Sequence, residues 1–562
     1  MSPVRGARIG LAISLFTLSV TTVSAVDLGA VNPGIDPGSL NRSQQDTREY
    51  YDLLQEEREG PSPLDEPVID QEAEPVAPEP AAGARTILIK RFDVSPSVVL
   101  SPEEIAAVTD KYLNRKLDIN QLMGVVNEIN VLYATKAKVI ARAVLPKQKV
   151  SGGVIKIKLI EASLGKIRVE GNEHTRDSYI QDRISLQPGE LIRLDLLEDD
   201  LITYNRWNGM TLKGGLIPGE EYGTTDITLH ANEGQQYIVN VFADNAGRET
   251  VGRNRVGVTA QVASLFGLRD RLFLGATFSE GSKNAWGSYD IPIHRSGTRI
   301  GVAYNFGDIK IIEGPLEPLN VTGESSNTGI TLTQPITAKR TYDWDTQLSY
   351  IHKTSDSYFD SVKLVNTTAD DLVLGTNLRF FDQGGTWLTS HAVTFGQSDS
   401  VKGRDYFIYI GSLVRLQYFR NASSLIFRSR WQLSDTNDLP SFDQILIGGV
   451  ASVRGYTEGL LAGDAGYALS VEYAYPLRFA KGWSQRANVF TFLDTAAAFP
   501  FRGDDGPSHK SEDFLTSVGA GLDFDVVHSV SFKLSVGVPL RNKSIYRQDD
   551  YRINALLNWK AW

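Results

Sequence analysis

The residues able to carry chemistry are few and scattered. The chain has seven histidines and no cysteine, which excludes disulfides, thiolate chemistry and cysteine-based metal sites. The histidines show no metal-ligand spacing, and there is no Gly-x-Ser-x-Gly, no phosphate-binding glycine loop and no His-Glu-x-x-His. A hydrolase whose acids and serines lie outside any motif stays open at this point. One segment stands out, Gly448-Gly449-Val450-Ala451-Ser452-Val453-Arg454-Gly455-Tyr456. It sets a single cation among glycines and small residues. On its own it reads as a surface loop with a solvated arginine. Whether Arg454 does more depends on the elements that position it.

Those elements are strands. From about Tyr237 onward one short amphipathic stretch follows another. Val256, Val258, Ala260 and Val262 are apolar, while Arg255, Gly257, Thr259 and Gln261 between them are polar or small. Leu272 to Phe278, Ile300 to Phe306 and Phe532 to Val538 repeat the pattern. Period two gives each strand one greasy and one wet face. A soluble sandwich would show the same alternation, so the placement must come from context.

The context is at the amino terminus. Arg5 and Arg8, the apolar run Ile9 to Val20 and the small residues Val23-Ser24-Ala25 read as a secretory signal peptide over 1–25. The apolar run is too short for a membrane anchor. Nowhere else are there eighteen uninterrupted apolar residues, so any membrane span must be a β-barrel. The formal net charge is −10, which argues against a nucleic-acid partner.

Residues 26–60 hold one weakly apolar helix, expected over 39–60 with Ser39 or Asn41 as cap. Its apolar content is Tyr50, Tyr51, Leu53 and Leu54, too little for a core. Residues 61–84 are rich in proline and acids, the composition of a disordered, extended tether. Residues 85–162 read β-α-α-β-β, with Ser101-Pro102-Glu103-Glu104 as a capping box and Asn120 as a possible second cap. Residues 163–234 repeat the plan, with helices over roughly 175–185 and 193–206. Residues 235–562 accommodate about sixteen antiparallel strands at about 20 residues per strand and turn. Trp344, Tyr350, Tyr473 and Tyr475 are candidate interfacial girdle residues.

This order resembles the outer-membrane transporters of two-partner secretion, the haemolysin-activator and filamentous-haemagglutinin secretion family, within the outer-membrane insertase superfamily. Several stretches carry the resemblance. Leu132-Tyr133, Arg142-Ala143-Val144-Leu145-Pro146-Lys147-Gln148 and Gly153-x-x-x-Ile157 look like the end of the family's first POTRA domain. Gly223-Thr224-Thr225-Asp226-Ile227 looks like the end of its second. Asp244-Asn245-Ala246-Gly247, Gly252-x-x-Arg255 and Gly267-Leu268-Arg269-Asp270 resemble the first barrel hairpin, and Ser288-Tyr289-Asp290-Ile291-Pro292 the next strand. The sharpest match is Val453-Arg454-Gly455-Tyr456 together with Phe492-Leu493-Asp494.

The resemblance implies a membrane β-barrel of about sixteen strands, two periplasmic POTRA domains and a plug helix. It places Arg454 at the tip of a loop folded back into the lumen, with Asp494 on the barrel wall as the partner of its planar fork. Gly455 would allow the bend there, and Tyr456 would pack on the wall. The terminal Trp562 resembles an assembly signal for the barrel machinery. The expected protein is no enzyme and uses no cofactor or metal. It is a monomeric pore in the outer membrane of a Gram-negative bacterium, assembled with the help of barrel-assembly machinery and periplasmic chaperones, that exports a large exoprotein such as an adhesin or haemolysin. The alternative is an insertase that assembles other barrels; a plain porin is a third reading, disfavoured by two periplasmic domains.

Overall fold

The computed structural model describes residues 36–59, 68–70, 86–136, 139–401, 404–436, 439–477, 486–499, 514–527, 529–541 and 549–561. The expected signal peptide and Trp562 lie outside the described residues.

Sixteen antiparallel strands close into a barrel. They are β1 (Tyr237–Asp244), β2 (Arg255–Ala263), β3 (Arg271–Phe278), β4 (Ser282–Pro292), β5 (Arg299–Lys310), β6 (Val321–Ala338), β7 (Tyr342–Phe359) and β8 (Val362–Asp382). Then come β9 (Gly385–Ser398), β10 (Asp405–Tyr418), β11 (Ser424–Ser434), β12 (Ala465–Pro476), β13 (Ala487–Phe499), β14 (Phe514–Val527), β15 (Val530–Pro539) and β16 (Arg552–Lys560). Five residue pairs between β1 and β16, Asn240–Lys560 to Asp244–Leu556, close the ring.

The alternation is turned inside out relative to a soluble sandwich. On β2, Val256 and Val258 are exposed while Arg255 and Gly257 are buried. Leu274, Ile300, Val302, Leu372, Trp344, Tyr350, Tyr473 and Tyr475 also face outward. An apolar outer wall and a polar lumen are what a lipid environment selects. No described helix is long and apolar enough to cross a membrane, so the strands make the crossing. The wall is uneven in height: β1, β2 and β3 have 8, 9 and 8 residues, and β6, β7 and β8 have 18, 18 and 21.

Before the barrel come α1 (Pro37–Glu59) and two α+β units. In the first unit, Val154–Glu161 is the central strand between Arg91–Val94 and Ala141–Val144. Helices α2 (Pro102–Thr109) and α3 (Ile119–Lys136) cover that sheet, burying Val125, Ile129, Tyr133, Ile155 and Ile157. The Ser101–Glu104 capping box forms on α2. On α3 the cap is Asp118, whose side chain accepts from the Gln121 N–H at 2.8 Å, not Asn120, which lies within the helix.

The second unit pairs Thr224–Asn232 with Ser163–Glu170 on one side and Thr211–Pro218 on the other. Its helices are α4 (Asp177–Gln181) and α5 (Leu194–Trp207). Helix α4 is shorter than the expected 175–185, because the chain turns at Asp182 to set Ile184 and Leu186 into the core. The tether departs from the expectation of disorder over 61–84. Ile69 and Asp70 pair in parallel with Gly214 and Gly215 at the outer edge of this sheet. The Gly214 N–H donates to the Val68 carbonyl at 2.7 Å, and the Val68 side chain is buried. A Val-Ile pair free of proline suits a sheet edge even inside a proline-rich stretch.

The second unit sits on the barrel turns at one rim. Lys339 pairs with Asp199 at 2.8 Å and Arg340 with Glu198 at 2.7 Å. Arg269 donates to the Asn208 and Gly209 carbonyls, each at 2.8 Å. This inner rim faces the α+β units; the turns at the opposite, outer rim include 245–254, 360–361 and 435–464.

Candidate functional site in the barrel lumen

Helix α1 is polar nearly all round, so no apolar stripe holds it on a core or a lipid surface. Its 23 residues reach about 34 Å, the height of a membrane-spanning wall. Its contacts come from opposite walls. Asn41 donates to Ser325 on β6 (3.2 Å) and accepts from Asn305 on β5 (2.8 Å). Gln44 donates to Ser282 on β4 (3.0 Å), and Arg430 on β11 reaches Asp46 (2.6 Å). Arg58 donates to Asp525 on β14 (2.9 Å) and contacts Asp523. A helix touching β4, β5, β6, β11 and β14 lies inside the ring.

The helix starts two residues before the expected 39. Its cap is Asp36, which accepts from the Ser39 N–H at 2.8 Å, rather than Ser39 or Asn41. Of the residues singled out in sequence, Tyr51 meets Phe242 edge-on at 6.1 Å, and Leu54 is buried. Tyr50 lies 5.6 Å from the Arg428 guanidinium. Tyr50 and Leu53 face a cleft of about 280 Å³ that also reaches Val450 and Arg454. Sequence reasoning missed Leu40, which is buried with Val251, Ile309, Ile311 and Val321 near the outer rim. A lone leucine in a polar helix gives little signal.

The second element in the lumen is the long connection between β11 and β12. Short strands Ile445–Ile447 and Leu461–Gly463 pair to form its stem, and the segment between them carries Val453 to Tyr456. Period two explains the receiving wall. Leu493 faces outward and is exposed, so its neighbours Phe492 and Asp494 face in and are buried. Arg454 binds Asp494 through Nε (2.8 Å), Nη2 (2.9 Å) and its own backbone N–H (3.1 Å). Nη2 also reaches Ser470 Oγ at 3.2 Å, and Nη1 contacts Glu472. The guanidinium lies 3.6 Å from the centre of the Phe492 ring.

Glu472 on β12 is shared with Lys533 on β15 at 3.0 Å. Two cations therefore face two carboxylates, all buried, and charge-assisted bonds satisfy both sides. Glu472 and Lys533 were not anticipated; the available signal was their inward position on alternating strands. Gly455 has φ of +104° and packs directly on Gly537, where a Cβ would lie 2.6 Å from the Gly455 nitrogen. The Tyr456 hydroxyl lies 3.0 Å from the Thr516 carbonyl oxygen and 2.9 Å from that of Arg541. Val453 is fully buried with Ile445, Ile447, Ala496, Ala498 and Leu515. Non-helical backbone at this depth survives because the lumen supplies its partners. Among the described residues no group of His, Asp or Glu is placed to hold a metal.

The chain shares this architecture with solved transporters. CdiB from Escherichia coli superposes with a TM-score of 0.66 at 20% identity, over 96% of this chain and all of that one. The heme/hemopexin transporter protein HuxB of Haemophilus influenzae (strain 86-028NP) is 26% identical over 463 residues, 78% of this chain and 81% of HuxB. The hemolysin transporter protein ShlB of Serratia marcescens is 23% identical over 81% of this chain and 84% of its own length. Residues 87–162 match the ShlB-type POTRA domain. Residues 223–524, more than half of the chain and including both the Arg454 loop and its Asp494 wall, match the haemolysin secretion/activation protein model, so the chain belongs to the ShlB/FhaC/HecB family of outer-membrane transporters.

Proposed function

We propose that this chain is the dedicated outer-membrane pore of a two-partner secretion pair, taking one large exoprotein, unfolded, from the periplasm to the cell surface. One observation carries the reading: the helix that fills the pore continues into a tether that occupies a strand edge of the second periplasmic unit. Strand addition is a sequence-tolerant way to hold an extended chain. An incoming client that takes the Thr211–Pro218 edge displaces Val68–Asp70 and frees the tether of α1. Docking and unplugging then become one event. Folding outside prevents the chain from sliding back, which gives export its direction.

The barrel lies among outer-membrane lipids, and its assembly calls on barrel-assembly machinery and periplasmic chaperones. HuxB and ShlB are named for different cargoes, so an adhesin, a haemolysin or a haem-acquisition protein would each suit this pore. The test compares secreted and outer-membrane proteins, by mass spectrometry, in the native strain with and without the gene. Loss of one large protein from medium or surface, with other barrels intact, is the expected result. A broad fall in many barrels would make the chain an insertase.

A further inference from the structure

The inward loop has a second buried charged contact, on wall strands other than those that hold Arg454. Asp443, where the loop enters its stem, meets two side chains of the opposite wall, Lys353 and Tyr406. Lys353 on β7 contacts Asp443 and lies 2.6 Å from Asp371 on β8. The Tyr406 hydroxyl on β10 lies 2.6 Å from Asp371 Oδ1 and 2.8 Å from Asp443 Oδ2. Asp371, Tyr406 and Asp443 are buried. Leu439 and Phe442 pack beside them on Ala369, Val401 and Ile408, with Leu439 fully enclosed.

Helix α1 presses on this stem. A Cβ at Gly38 would fall 2.7 Å from Ser441 Oγ and 3.0 Å from the Phe442 ring, so a larger residue there would push on both side chains. Arg42 of α1 also acts electrostatically on Asp443, adding a second cation beside two carboxylates and one lysine. At the loop tip, Tyr50 and Leu53 line a cleft of about 280 Å³ together with Arg454. The helix packs directly on the stem and shares a cleft with the tip.

We propose that Asp443, held by Lys353 and Tyr406, is the positioning residue through which departure of α1 is passed to the inward loop. When the helix leaves, the stem loses the Gly38 packing and the Arg42 charge together. Its hold on β7, β8 and β10 then loosens, while the Arg454 contact stays closed. The exit therefore opens from the β7–β10 side. This rests on the reading of α1 as a plug that leaves.

The chain has no cysteine, so a single introduced thiol is a unique reporter. Full-length protein carrying Leu439→Cys, in liposomes, is labelled with a membrane-impermeant maleimide; Val401→Cys reports the same cluster from the wall if the first variant does not fold. Heat-modifiable mobility on gels certifies the barrel. Removing residues 36–59 and, separately, Tyr406→Phe are each expected to raise the labelling rate about tenfold, the scale of a lost hydrogen bond to a buried charge. The phenylalanine keeps the ring, so a role in packing alone predicts no change. Unchanged labelling without the helix overturns the proposal, as does the absence of any rise with Tyr406→Phe. Labelling needs no client, so it stands apart from the secretion result. If removing the helix raises conductance but not labelling, the plug reading survives and this inference does not.

Discussion

The loop and the helix fill the same lumen and are held there in opposite ways. The loop tip concentrates its hold on one buried arginine, with two guanidinium bonds and one backbone N–H bond to Asp494 and further contacts to Ser470 and Glu472. The helix spreads single contacts over β4, β5, β6, β11 and β14, several of them between neutral groups. Its Arg58–Asp525 pair is about a fifth exposed. A neutral hydrogen bond contributes about 0.5–1.5 kcal/mol net. The neutral helix contacts can thus each be exchanged for water at small cost, and Arg58–Asp525 is more open to water than the Arg454 pair. The buried arginine has no such exchange. That difference is what the proposed roles, a fixed loop tip and a helix that leaves, require.

The largest expected effect is at Arg454. Arg454→Ala leaves Asp494 buried without its cation, a loss of about 3–5 kcal/mol in the docked loop. Secretion should collapse while the barrel still inserts, checked by heat-modifiable mobility and an exoprotein immunoblot. Full secretion by this variant removes the role assigned to the loop. Next, deletion of residues 26–60 should raise single-channel conductance and antibiotic entry several-fold, in the range of a lumen freed of one helix diameter, about 10 Å. Unchanged conductance sinks the plug.

A third variant turns the detachable element into a fixed one. Asn41→Cys with Ser325→Cys joins two side chains now 3.2 Å apart. The oxidised form should stay at low conductance and stop secreting, and reductant should restore both; secretion through the closed disulfide would show that the helix need not leave. The smallest effect is that of salt. Raising ionic strength from 0.1 M to 1 M shortens the screening length from about 10 to about 3 Å, which weakens Arg58–Asp525 far more than the enclosed Arg454 pair. More frequent openings in planar bilayers are expected in full-length protein and no change once α1 is deleted. Salt-sensitive openings without α1 would place the weak contacts in the loop instead.

The same contrast explains what could be read before the structure. Strands were legible because a wall between lipid and water forces period two on each of them, as Arg255 to Ala263 shows. Phe492 and Asp494 were legible as two inward positions of one such strand, joined to Val453–Tyr456 by family resemblance. Glu472 and Lys533 were not, because alternation says which way a side chain points and not what it meets across the ring. The caps at Asp36 and Asp118 lay two or more residues from the expected ones, since several polar residues compete at a helix start. The pairing of Val68–Asp70 escaped because it depends on an edge some 145 residues away in sequence, at Gly214 and Gly215.

The uneven wall has a consequence of its own. Strands of 18 to 21 residues on one flank and 8 or 9 on the other make the mouth a slanted spout. At about 3.4 Å per residue and a tilt near 45°, the high lip stands roughly 20 Å above the low one. A polypeptide leaving such an opening meets backbone and side chains on one shoulder and headgroups on the other.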